Sequence, residues 1–362
     1  MRNLKSLLIV VMVTMISVMI FGAAPVFAET DHGDCGQGVS WTLDDEGTLT
    51  ISGNGKVDDY REIMEPSRRA INSPWYKHEK DIKKAVVGKG VTPGMCMFAR
   101  LSYLESVSFP EGIEEIPDGM CAYCTQLRTV SLPSSVKRIG ASGFLSCKRL
   151  KSVLLPERLT EIDVSAFEGS QALQHIDFPL TLERIGSHAF SVSGIDRVVI
   201  PAKTTEIDEM AFDGCPRLKH IIITSDQLRM GNAVFSNAER LQTCVIGDGV
   251  SSLPSETFSK AGKLYISPKV TSIADDALSG SYMTIYGEAG SAAEEFTRKN
   301  TLYYEPLTFY EVSNDITLED YGFNLEGPLV LTQTMIKKYP NFEWLWTRLY
   351  NRYMTKHYEN SL

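Results

Sequence analysis

The chain has 362 residues and carries 36 lysines and arginines against 45 aspartates and glutamates, a formal net charge of −9. An acidic surface repels nucleic-acid phosphates and anionic lipid headgroups, which excludes both as principal partners. Seven cysteines are too few and too irregularly spaced for a disulfide framework, and their odd number leaves at least one thiol free, so the fold rests on packing.

Residues 1–28 read as an export signal. Arg2 and Lys5 form a basic start, Leu7 to Phe21 an apolar run, and Val26 and Ala28 set small residues where a signal peptidase reads. The run is shorter than the roughly 20 residues that span a bilayer. Cleavage before Glu29 is therefore expected, giving a product that is secreted or held at the cell surface. No cysteine stands at the cleavage point and no hydrophobic tail follows the last charged residues, which points away from a lipid or membrane anchor.

Residues 29–81 precede the periodic part of the chain. Asp44, Asp45, Glu46 and Gly47 read as a hairpin turn, because the alternating oxygen ligands and distal glutamate of a calcium loop are missing. Between residues 53 and 82, Asp58, Asp59, Glu62, Glu65, Arg68 and Arg69 accompany Pro66 and Pro74, and the stretch reads as a polar loop over one end.

From residue 82 to 305 the chain repeats. Leu104, Leu127, Leu150, Leu173, Ile195, Leu218 and Leu241 open units spaced 22 or 23 residues apart. In each, the apolar residues at the first, fourth and sixth positions, as in Leu150, Val153 and Leu155, predict a short strand with alternate side chains inward. A proline such as Pro156 then stops the ladder. A second apolar column follows at Ile116, Ile139, Ile162, Ile185, Ile207, Met230, Leu253 and Ile273. A third, aromatic column runs through Phe144, Phe167, Phe190, Phe212, Phe235 and Phe258, each twelve positions after the last apolar residue of its strand. One such coil cannot bury its apolar face alone, whereas stacked coils bury a continuous core. The expected fold is a β-rich, right-handed parallel solenoid. The coil near Leu264 is about three residues short by this count.

These units resemble the BspA-type leucine-rich repeat. Val130 to Leu150, with Pro133, Ile139, Gly140, Phe144 and Cys147, follows its wording almost position for position. Cys35 to Gly55 and the run Ser73, Pro74, Trp75, Tyr76 resemble the cap that precedes such arrays, and Ile285 to Phe296 is similar to a terminating coil and helix. The departures are Thr224 for the proline and Ser170, Ser193 and Ala238 for the cysteine. The resemblance divides the chain into a signal (1–28), an N-terminal β cap (29–81), the leucine-rich repeats with their terminating coil (82–305) and a C-terminal α/β extension (306–362). It implies attachment to host or matrix proteins, that is, an extracellular protein or glycan as partner.

In the extension, Asn341 can cap a helix on which Phe342, Leu345, Trp346, Leu349 and Tyr353 share one face. Such a face closes the open end of a solenoid, or meets a partner or membrane interface, since Arg348, Arg352 and Lys356 flank it.

Catalytic chemistry finds no constellation. Cys121 and Cys124 have redox spacing but lie in a repeat turn, and Cys124, Cys147 and Cys215 share one column, which predicts buried thiols; a Cys124–Cys147 bridge stays open. His32, His78, His175, His188, His220 and His357 form no HExxH or zinc pattern and read as surface residues. P-loop and nucleophile-elbow motifs are missing. The expectation is a non-catalytic protein without cofactor or metal, whose broad surface suits proteins or glycans. The alternative is a cell-wall glycan-binding module or small enzymatic site that uses the extension.

Where that surface lies follows from strand alternation. The residues between the last two inward positions face outward, giving Ser108, Ser131, Leu154, Asp177, Val199, Ile222, Val245 and Tyr265, polar early and apolar late. Beside them run Arg197, His220, Thr243 and Lys263. The expected ligand-binding strip is Arg197, Val199, His220, Ile222, Val245, Lys263 and Tyr265, an exposed apolar band bordered by basic groups.

Overall fold

A computed structural model of the chain describes residues 29–60, 62–64, 69–259, 261–278, 284–300 and 302–306. The export signal and the extension beyond Pro306 lie outside the described residues. The rest is a parallel β-solenoid of about nine turns with a small C-terminal helix, Ala292–Asn300.

The cap starts the stack. Strands Glu29–Gly36, Val39–Asp44 and Thr48–Gly53 form an antiparallel meander, and the last of them pairs in parallel with Lys84–Val87, where the solenoid begins. The Asp44 to Gly47 segment is the expected turn: the Asp44 carboxylate accepts the backbone N–H groups of Glu46 and Thr48. The polar stretch that follows is more ordered than its composition predicts, since Glu62–Met64 pairs antiparallel with Arg69–Ile71. Trp75 joins cap to coils, its ring edge-on to Trp41 and Tyr60 and beside Phe98, while its indole N–H donates to the Met97 carbonyl at 3.2 Å.

All three columns appear in register. On one face the strands Arg197–Ile200, His220–Ile223, Thr243–Ile246, Lys263–Ile266, Thr284–Gly287 and Tyr303–Pro306 make a six-stranded parallel sheet. The short coil near Leu264 loses its residues outside the strands, because Cys244 still pairs with Leu264 and Ile246 with Ile266. On the second face Ile116, Ile139, Ile162, Ile185, Ile207 and Met230 are successive partners. Inside, the phenylalanines from Phe144 to Phe258 stack with centroids 5.2 to 5.5 Å apart and interplanar angles of at most 17°.

The turns that carry Phe144 to Phe235 each have a left-handed residue two positions before the ring and another two positions after. For Phe167 these are Ser165 and Gly169, for Phe190 His188 and Val192, for Phe212 Met210 and Gly214. The pair turns the backbone so that each phenylalanine N–H reaches a carbonyl of the next coil, as Phe167 does to Ala189 at 2.7 Å and Phe190 to Ala211 at 2.8 Å. Glycine suits such a φ; Val192, at φ 55°, is β-branched and strained there.

A charge column reinforces the second face. Glu115, Arg138, Glu161, Arg184, Glu206 and Arg229 stand side by side in alternating sign. Arg184 reaches Glu161 at 2.8 Å, Asp208 at 2.6 Å and Glu206 at 3.5 Å, and Arg138 likewise engages Glu115, Asp118, Glu161 and Asp163. Burial disfavours the charge on Asp163, but the Val164 N–H and the arginines outweigh it and hold its carboxyl below the usual range. Exposed pairs stabilise little one by one. As a ladder they favour the observed register, in which Arg138 and Arg184 each stand between two glutamates of the neighbouring coils.

Two substitutions test this packing. Phe167→Ala removes a fully buried ring and is expected to cost roughly 3 to 5 kcal/mol, seen as a lower Tm. Val192→Gly, at a side chain 43 % exposed, relieves a left-handed β-branched residue and should gain about 0.5 kcal/mol after the entropy of the added glycine. An unchanged Tm for the first or a clear loss for the second contradicts the register described.

Candidate functional site

The expected strip is assembled but not open. Parallel pairing sets Val199, Ile222, Val245 and Tyr265 side by side, with Arg197, His220 and Lys263 in the adjacent column. Yet Ile222 is 4 % exposed and Val245 and Tyr265 are 0 % exposed, whereas Leu154, in the same column three coils before Ile222, is 88 % exposed. Val199, Arg197, His220 and Lys263 are half-buried. The correction has a physical cause: alternation along a strand tells which way a side chain points, not what lies across it. Part of the cover is lateral, since the Tyr265 ring stacks on Tyr286 at 4.6 Å. The open portion of this face lies earlier, at Thr129, Ser131, Ser152, Leu154, His175 and Asp177.

Beside that open portion the solenoid has a basic edge that the sequence reading missed. Lys148, Arg149 and Lys151 flank the inward Leu150, Arg217 and Lys219 flank Leu218, and all five are exposed. Two coils lie between these clusters, and the spacing from Leu173 to Ile195 is one residue shorter than those on either side; at Gly194 an added Cβ would lie 2.2 Å from the Gln171 carbonyl oxygen. The edge holds a groove of about 330 Å³ lined by Lys148, Lys151, Gln171, Ala172, Gln174 and Arg217. None of Lys148, Lys151 and Arg217 forms an ion pair among the described residues, in contrast to Arg138, Arg184 and Arg229. The signal was present in the sequence, as the single 22-residue spacing from Leu173 to Ile195 beside clustered lysines and arginines.

The thiol column has a structural role. Cys124, Cys147 and Cys215 donate from Sγ to the carbonyls of Phe98, Cys121 and Phe190 in the preceding coil, at 3.0 to 3.2 Å. Ser170 donates to the Phe144 carbonyl in the same way, which explains why serine replaces cysteine there. All seven cysteines are free, and burial pushes the Cys215 thiol up to about 11 and Cys121 well above its ordinary value. Among the histidines, His78, His188 and His220 depart from the surface reading in being partly buried, and in the cap His78 sets Nε2 2.7 Å from the Asp31 carboxylate. Lys77 and His78 together hold the Asp31 carboxyl far below the usual range.

Maleimide treatment of the native chain should therefore label Cys96, the one cysteine that is not fully buried, and leave Cys121, Cys124, Cys147 and Cys215 intact until denaturant is added. Fast labelling of Cys147 in the native state contradicts this packing.

Comparison with known proteins bears on the same elements. Solved structures similar to this chain include a leucine-rich repeat protein from Eubacterium ventriosum, at 18 % identity over 72 % of this chain and 87 % of that one, with a TM-score of 0.40. The T. pallidum leucine rich repeat protein matches at 19 % identity over 58 % and 91 %, with a TM-score of 0.42. A leucine rich cell surface protein from Faecalibacterium prausnitzii matches at 20 % identity over 77 % and 98 %, with a TM-score of 0.34. None of the curated proteins matches. The BspA type leucine rich repeat region matches in six copies over residues 70–196 and 184–286. With more than half of its length covered by that repeat, the chain belongs to the BspA-type leucine-rich-repeat family.

Proposed function

We propose that the protein is an exported, non-catalytic binding scaffold that holds an anionic extracellular macromolecule, a glycan or protein segment bearing carboxylate or sulfate groups, along its basic edge. The observation that carries this reading is the contrast in how cations are used. On the second face every arginine of the charge column is neutralised by a carboxylate. At the groove, Lys148, Lys151 and Arg217 have no acidic partner among the described residues, on a chain whose net charge is −9. Cations set within one groove on an acidic protein favour an anionic ligand there and steer it away from the rest of the surface. Gln171 and Gln174 between them offer amide donors and acceptors suited to hydroxyl or carboxyl groups. Leu154 adds an exposed apolar contact on the adjoining face.

The test is retention on an immobilised sulfated polysaccharide such as heparin. The parent chain is expected to bind at low salt. The triple variant Lys148→Glu, Lys151→Glu, Arg217→Glu should bind at least about tenfold more weakly, three screened contacts of about 0.5 kcal/mol each. A control of equal net charge, Lys89→Glu, Lys203→Glu, Lys269→Glu, should behave as the parent does. No retention of the parent, or equal losses in the two variants, rules the reading out.

A further inference from the structure

The outward strand column changes its surroundings along the solenoid. Leu154 is open to solvent, while Ile222, Val245, Tyr265 and Tyr286 at the same position of later coils are buried, and Thr243 beside them is buried too. These four apolar side chains stand outside the continuous cluster that fills the coils, so the solenoid interior is not what buries them. Neighbouring strands about 4.8 Å away shield the flanks of an outward side chain but not its tip. A tyrosine on the outer face of a sheet reaches zero exposure only when chain lies across it.

We infer that residues 307–362 dock on this face, and that they do so through Phe342, Leu345, Trp346, Leu349 and Tyr353. Connectivity supports this occupant. Tyr303–Pro306 is the last strand of the same sheet, paired in parallel with Thr284–Gly287, so the chain leaves the solenoid at the edge of the covered face. From there to the strand of Ile222 is four strand spacings, about 19 Å. The segment from residue 307 to 362 spans that many times over, at up to about 3.3 Å per extended residue. Its five apolar side chains, at i, i+3, i+4, i+7 and i+11, form one stripe of helical spacing. A stripe rich in aromatics matches a column that ends in two stacked tyrosines. Cover and exposure divide where this predicts: the sheet next to the extension is closed, and the half that carries Leu154 and the basic edge stays open. The inference is independent of what the basic edge binds.

The test uses the full chain, nitrated with tetranitromethane and read by peptide mass spectrometry. Tyr103, 49 % exposed, should react while Tyr265 and Tyr286 stay unmodified. In the variant Trp346→Asp, Leu349→Asp, nitration of Tyr265 and Tyr286 should rise at least tenfold while the buried thiols keep their protection. Rapid nitration of Tyr265 in the parent, or equal protection in parent and variant, overturns the proposal. So does protection that the parent loses on dilution, which assigns the face to a second copy of the chain. If the variant fails to fold, a photo-reactive benzoylphenylalanine at Val199, on the rim of the strip, decides the matter. It should crosslink within one chain to residues 307–362, and the same probe at Leu154 should not. Crosslinks from Val199 to another chain, or none to that segment, overturn the proposal.

Discussion

Each coil of this chain can bury its apolar side chains only against the coils before and after it. Everything else in the molecule depends on that constraint. A residue must fall at the same place in every turn, because a ring displaced by one position would leave a void in its own coil and meet backbone in the next. The stacked phenylalanines, the isoleucine column and the thiols that donate to the preceding coil's carbonyl are three expressions of one requirement. The alternating charge column adds a fourth, outside the core: it contributes little energy per pair but makes one register better than its neighbours.

The same constraint explains how the surface divides. Interior positions are held to a narrow range of residues, so variation is confined to the outward columns and the turns. On the second face the outward cations are consumed in holding coils together. Around the groove, Lys148, Lys151 and Arg217 have no such ion pair among the described residues. On the proposed reading, cations held at positions fixed by stacked coils meet an extended anionic ligand with little backbone order to be created on binding.

Much of the fold was legible because it is periodic. Leu150, Val153, Leu155, Ile162 and Phe167 recur at fixed offsets, and each offset names a direction relative to the core. The candidate site was less legible, for two reasons. Ile222, Val245 and Tyr265 face outward as alternation requires, yet they are buried, and no local pattern reports it. Lys148, Lys151 and Arg217 look like ordinary solvated residues in the sequence, because only the stacking of coils brings residues so far apart in the chain around one groove. The hairpin Glu62–Met64 with Arg69–Ile71 went unread for a third reason, since a short, charged pair of strands carries no alternation of its own.

The central claim is that stability passes from coil to coil through the interior columns. It is tested most directly by amide hydrogen exchange on the full chain and on Phe190→Ala, resolved by peptide. The account predicts lost protection in the coils of Phe167, Phe190 and Phe212, with the cap strands Val39–Asp44 and Thr48–Gly53 and the strands Lys263–Ile266 and Thr284–Gly287 still protected. A uniform loss over the whole chain, or no change near Phe190, would contradict it.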